Sequence, residues 1–252
     1  MRSKPLVVAH RGAAAYAPEN TLEAFNLALK MKADALEMDV RMTADGVLVL
    51  HHDRGVKQGR RRYWIDKINF SKLRKIDNQI LTLEEALRRF GPKIGLELDL
   101  KPEGIEEKTV KLLRKYKPRK RVVIKSVSAR VLEKLKKLYP SAILSHSSCE
   151  LRDSRDLAKR RAIRALCYFL SLTGKPLILR LIKRRTRKTK VDFVSLHYRL
   201  ATKKIIEFFH RKGVAVSIWT INDAKLARKF LGFRVEALIT DRPDIIRRVV
   251  DE

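Results

Sequence analysis

Short apolar runs alternate with helix-spaced segments along nearly the whole chain. The runs cover residues 5–10, 34–40, 93–100, 121–127, 141–147, 192–198, 214–221 and 236–241, eight in all. Each is rich in Val, Ile and Leu and is followed by a segment with helical spacing, such as NTLEAFNLALKMK or RVLEKLKKL. Strands buried on both faces read as near-continuous apolar runs of this kind. Eight of them alternating with helices predict a closed (β/α)8 barrel, an α/β fold whose typical length this chain matches at 252 residues. A doubly wound open sheet is the alternative, but it leaves two edges to protect. The rhythm breaks once. After the second run, Ala44-Asp45-Gly46 stands between two extended stretches, which predicts an antiparallel hairpin with an extra strand at 47–51. Residues 54–80 then form an excursion before a helix at 82–90. The expected organisation is one domain over 1–252 with an insertion at about 43–81.

Composition agrees with a large packed domain and excludes collagen-like and disordered classes, with 45% hydrophobic residues, 10 Gly and 8 Pro. Two cysteines, Cys149 and Cys167, make no disulfide framework. The apolar stretch near the N-terminus, residues 6–9, is too short for a signal peptide, so a cytoplasmic location is expected. No run of residues is long and apolar enough to predict a spanning helix. Charge changes the picture most. Lys and Arg number 58 against 28 Asp and Glu, a net charge of +30. Taken alone, that balance suggests nucleic acid or an anionic membrane surface. Yet no zinc-ligand spacing, aromatic RNA-binding motif or helix-turn-helix pattern accompanies it.

Active sites of such barrels lie at the C-terminal ends of the strands. Strand one ends in His10-Arg11-Gly12. The second run carries Glu37 and Asp39, which the period of two places on one face, and the third carries Glu97, Asp99 and Lys101 in the same way. The extra strand ends at His51-His52-Asp53, where alternation lets only one histidine face inward. Ionisable groups inside a barrel are costly unless they pair or hold a metal. Carboxylates gathered at one mouth suit a hard divalent cation. Arg11 and Lys101 suit a phosphate, and a histidine pair suits acid–base cleavage of a phosphodiester. The structural alternatives are ion pairing of Glu37 and Asp39 with Arg41 or with basic helices, and a packing role for His10; His146 and His197 on later strands are either structural or line the pocket.

The same residues carry a family pattern. His10-Arg11-Gly12, Ala17-Pro18-Glu19-Asn20-Thr21, Glu37-Met38-Asp39-Val40, Thr43-Ala44-Asp45-Gly46, His52-Asp53, Leu81-Thr82-Leu83-Glu84-Glu85, Ile218-Trp219-Thr220-Ile221-Asn222 and Thr240-Asp241-Arg242-Pro243 occur in order and reach both ends of the chain. In these motifs the chain resembles the glycerophosphodiester phosphodiesterases. The resemblance implies a metal-dependent barrel enzyme that cleaves a glycerophosphodiester to glycerol 3-phosphate and an alcohol through a cyclic phosphate. His10 and His52 would be the acid–base pair, and Glu37, Asp39 and Asp99 the ligands of one divalent cation, magnesium or calcium, with manganese a third candidate. Arg11, Lys101 and Trp219 would contact substrate. The chain departs from the family at Asp99-Leu100-Lys101, where Glu-x-Lys is usual; Asp99 is preferred over Glu97 as third ligand because its spacing to Lys101 is the family's. The segment after His52-Asp53 lacks the usual pattern, and Val127 stands where an aromatic often follows Ser126.

The leading expectation is therefore hydrolysis of small glycerophosphodiesters. The same site acting as a lysophospholipase D on lysophospholipids is the alternative, with the apolar stretch 165–172 and the basic stretch 180–190 as a surface for anionic lipid. A nucleic-acid-binding barrel with a dead site rests on charge alone. Nothing in the sequence indicates an oligomeric state.

Overall fold

The computed structural model describes residues 4–147 and 190–252. In chain order its strands are β1 (Leu6–Ala9), β2 (Ala35–Met42), β3 (Leu48–Leu50), β4 (Gly55–Gln58), β5 (Arg61–Trp64), β6 (Gly95–Leu100), β7 (Val122–Ser126), β8 (Ile143–Ser147), β9 (Phe193–His197), β10 (Ala215–Trp219) and β11 (Ala237–Thr240). All eight apolar runs become strands, and these pair in parallel in the order β1-β11-β10-β9-β8-β7-β6-β2. Pairing of β1 with β2 at Val8↔Ala35 and Ala9↔Leu36 closes the barrel. The helices are α1 (Leu22–Lys30), α2 (Phe70–Ile76), α3 (Leu83–Phe90), α4 (Glu106–Tyr116), α5 (Ala129–Leu138), α6 (Lys203–His210), α7 (Ala224–Gly232) and α8 (Pro243–Asp251).

Each barrel strand is covered on its outer face by helices. Leu36, Met38 and Val40 of β2 and Leu96, Leu98 and Leu100 of β6 pack outward with Phe25 of α1 and Phe90 of α3 in one buried cluster. The two phenyl rings meet edge to face at 5.4 Å. Burying each such side chain contributes roughly 1.5–3 kcal/mol, which pins these alternate positions outward and sends their neighbours into the barrel. A smaller cluster of Val8, Ala237 and Ile239, with Ala35 and Trp219 against it, fills part of the interior.

The loops are held by local chemistry. The expected return after β2 forms as predicted: β3 pairs antiparallel with β2 from Val40↔Leu50 to Met42↔Leu48. Gly46, at φ +81°, closes it by donating its N–H to the Thr43 carbonyl at 3.0 Å. Helix α3 begins in a capping box, with Thr82 Oγ1 accepting from the Glu85 N–H at 3.0 Å and Glu85 Oε2 accepting from the Thr82 N–H at 2.8 Å. Gly12 has φ +85°, and a Cβ there would lie 2.7 Å from the Ala24 backbone, so the turn after β1 can press onto α1 only as glycine. The excursion at 54–80 holds the antiparallel hairpin β4–β5, a short 3-10 turn at Ile65–Lys67 and α2. Among the described residues, no helix is long and apolar enough to cross a membrane. The apolar stretch 165–172, both cysteines and all but Lys190 of the basic stretch 180–190 lie outside the described residues.

Candidate active site

Strands β2 and β6 run side by side in a register that pairs Glu37 with Glu97 and Asp39 with Asp99. Their intervening residues are locked outward, so four carboxylates are forced into the barrel as two adjacent rows. All four residues are buried. One carboxylate oxygen each from Glu37, Asp39 and Asp99 lie within 4.8 Å of one another.

Such a gathering survives only with counter-charge. Arg11 supplies some of it. Its φ of +57° turns its backbone N–H onto Glu37 Oε2 at 3.1 Å, and its Nε stands 3.0 Å from Asp39 Oδ2. Lys101 Nζ lies 2.8 Å from Asp39 Oδ1 and 3.0 Å from Asp99 Oδ2. From β7, Lys125 Nζ reaches Glu37 Oε1 and Glu97 Oε1, each at 2.9 Å, and Asp99 Oδ2 at 3.5 Å. Asn20, another residue of positive φ, clamps Asp39 from both sides: Nδ2 donates to Oδ2 at 2.9 Å and Oδ1 accepts from the Asp39 N–H at 3.1 Å. Burial pushes the Asp39 carboxyl up, but Lys101, Arg11 and His52 outweigh it and hold Asp39 well below the usual carboxylate range. Glu97 goes the other way: burial, opposed by Lys125 and aided by Glu37 and Asp99, raises it. Burial disfavours the Lys125 ammonium, yet Glu37, Glu97 and Asp99 together hold its pKa well above the ordinary lysine value. The pairing of Glu37 and Asp39 with Arg41 does not form. Arg41 instead donates from Nε and Nη2 to the His52 carbonyl, at 3.0 and 2.6 Å, which seats the end of the extra strand against β2.

The two histidines are built alike. His10 Nδ1 is 2.7 Å from Asp241 Oδ1, at the end of β11. A carboxylate only accepts, so Nδ1 carries the proton and Nε2 is the nitrogen left to exchange one. Asn222 fixes that carboxylate, donating to Asp241 Oδ2 at 2.6 Å and accepting from the Asp241 N–H at 2.9 Å. Burial raises the Asp241 pKa, and the His10 and Asn222 contacts more than reverse it. His52 Nδ1 is 2.9 Å from Asp53 Oδ1. Of the adjacent pair, His52 is buried, whereas His51 turns its Nδ1 to the Asp53 carbonyl at 2.7 Å.

The family model described as the glycerophosphoryl diester phosphodiesterase family matches residues 10–245. The chain belongs to that family. Membership makes it an enzyme of the phosphoric diester hydrolase class. It is 29% identical over 256 residues to the YhdW protein of Bacillus subtilis strain 168, across 95% of this chain and 96% of that one. It is also 28% identical over 268 residues to the glycerophosphodiester phosphodiesterase of Caldanaerobacter subterraneus subsp. tengcongensis, with 98% of each covered. Among solved structures it resembles an Oleispira antarctica phosphodiesterase in complex with the product sn-glycerol-3-phosphate. The TM-score is 0.79 and the identity 25%, over 99% of this chain and 98% of that one.

Within this family member, Arg11 and Lys101 pair with the carboxylates of Glu37, Asp39 and Asp99, and His10 stands next to Arg11 in the chain. Trp219 ends β10 and packs partly against the interior cluster. Its ring meets His197 edge to face at 5.0 Å, and its Nε1–H is buried without a hydrogen-bond partner. Burial and Arg199 lower the His197 pKa. His146 is buried, with Nδ1 2.7 Å from the Ser147 carbonyl. Sequence reasoning gave no role to Lys125, Asn20, Asp241 or Asn222. The last three lie inside quoted motifs, so their signal was present. Lys125 also had one: a cation in the middle of the apolar run 121–127, at a position whose parity points into the barrel.

Proposed function

We propose that this chain hydrolyses glycerophosphodiesters to glycerol 3-phosphate and an alcohol, as a single catalytic domain working in the cytoplasm. The observation that carries the reading is the continuity of His10 and Arg11. One residue is held by the Asp241 carboxylate, and the next binds Glu37 and Asp39, so an oriented imidazole is tied directly to the acidic cluster.

Glu37, Asp39 and Asp99 fit a divalent cation. They offer hard oxygen donors close together, and Asp99 Oδ1 is buried without a hydrogen-bond partner. Magnesium or calcium suits this set best, and manganese is the third candidate. Bound there, such an ion supplies stabilisation of the charge that builds on the phosphoryl oxygens. Arg11 and Lys101, now on Asp39, lie close enough to the same carboxylates to share themselves with a phosphate. One histidine removes the proton of the glycerol 2-hydroxyl. Its oxygen bonds to phosphorus as the bond to the leaving alkoxide breaks, and the other histidine protonates that leaving oxygen. Water then attacks the cyclic phosphate with the two histidine roles exchanged, and the bond to the 2-oxygen reopens. The neighbouring hydroxyl is already positioned, so deprotonation and in-line geometry are all the chain must add. Trp219 provides an apolar wall and one N–H donor beside the glycerol.

A metal-titrated assay of glycerophosphocholine, glycerophosphoethanolamine and a lysophospholipid in parallel tests this. The expected result is glycerol phosphate release from the two soluble diesters with divalent cation present. Turnover confined to the lysophospholipid would replace the reading with the lysophospholipase D alternative.

A further inference from the structure

The four inward carboxylates face three cations, and Lys125 differs from the other two. Arg11 and Lys101 converge on Asp39. Lys125 takes an oxygen of Glu37 at 2.9 Å and approaches one of Asp99 at 3.5 Å, so it touches two of the three residues that fit a divalent cation, as Lys101 does with Asp39 and Asp99. Of the two lysines only Lys125 is also paired with the fourth inward carboxylate, Glu97. An ammonium and a metal ion on the same carboxylates repel each other and draw on the same lone pairs. Glu97 also holds Lys125, at 2.9 Å, and is itself outside the metal-fitting trio. Among the described residues no other cation pairs with Glu97, and its β7 register partner is the apolar Val123. The β8 partner of Lys125 is Ser145, whose buried hydroxyl has no hydrogen-bond partner. The lysine is thus anchored at a point from which it can release Glu37 and Asp99 without leaving the barrel.

We infer that Lys125 is a built-in competitor for the divalent-cation site and that Glu97 is its tether, the pair setting how tightly the site holds metal. The inference rests on the metal reading proposed above. It makes Lys125 a positioning residue for the cluster, and it makes the site an exchangeable one.

Calorimetric titration of the full chain with Mn²⁺ tests it, using wild type, Lys125→Gln, Glu97→Gln, the double variant, and Asp99→Asn as a control for the site. Lys125→Gln should bind Mn²⁺ about tenfold more tightly, a change worth about 1.4 kcal/mol. Glu97→Gln, which frees the lysine onto Glu37 and Asp99, should bind several-fold more weakly. The double variant keeps the local charge of wild type, removes the competitor and avoids an orphaned buried ion, so it keeps the test open if either single variant fails to fold. It should match Lys125→Gln. Affinity in the double variant equal to or below wild type would overturn the competitor role. A loss from Glu97→Gln that persists in the Lys125→Gln background would make Glu97 a ligand and overturn the tether. Binding that is absent in wild type, or unchanged in Asp99→Asn, would overturn the metal reading itself.

Discussion

The two halves of the barrel interior are built on opposite principles. From β2 through β7 the inward positions include Glu37, Asp39, Glu97, Asp99 and Lys125, buried ions that exist by neutralising one another. From β8 through β11 the inward positions include Ser145, Ser195, Ser217 and Trp219, with Ala237 and Ile239 beside them, and none of these is charged. The three serine hydroxyls are buried without a hydrogen-bond partner. The charged half is over-determined, because every ion there is the counter-charge of another. The neutral half contributes small side chains and spare donors, which is what a polyhydroxy substrate needs beside a cationic and acidic centre.

Substitutions should separate the halves by sign as well as size. Asp39→Ala removes the carboxylate that Arg11 and Lys101 share, leaving Lys101 on Asp99 and Arg11 on Glu19, and breaking a buried pair in this way costs roughly 3–5 kcal/mol. Chemical denaturation should show that loss, and a cost below about 1 kcal/mol would mean the charged half is not mutually supported. Asp241 gives an intermediate effect that depends on pH. Its folded pKa is depressed, so its stabilisation is fully present above the ordinary carboxylate value of about 3.9 and is lost as pH falls through the lower folded value. Asp241→Asn should flatten the acid limb of melting temperature against pH below about pH 4, relative to wild type. Ser217→Ala should have the smallest effect and the opposite sign. Removing an unpartnered buried hydroxyl should leave stability unchanged or raise it by up to ~1 kcal/mol. A clear destabilisation would show that the hydroxyl is engaged in the folded protein.

The frame was legible because its physics is local. Buried parallel strands must be apolar on the outer face, so all eight runs and the inward parity of Glu37, Asp39, Glu97 and Asp99 could be read directly. The hairpin β4–β5 was not legible, because Lys57, Arg61 and Arg62 obscure its alternation and a single Gly59 carries its turn. Lys125 was missed for a different reason. Its meaning comes from the β6–β7 register, which sets it beside Asp99, and registers between distant strands are not written in either strand alone. Arg11 and Lys101, whose charge suits a phosphate, both pair with Asp39, a contact that neither motif alone displays.

The central claim is that an imidazole and the acidic cluster act together on a phosphodiester. It is tested most directly by glycerol phosphate release from glycerophosphocholine, measured against divalent cation for wild type, His10→Ala and Asp99→Ala. The account predicts cation-dependent turnover in wild type. It predicts a loss of about 10²–10⁴-fold in kcat for His10→Ala at saturating cation. Asp99→Ala should require more cation. Full activity in His10→Ala, or wild-type turnover indifferent to cation removal, would contradict it.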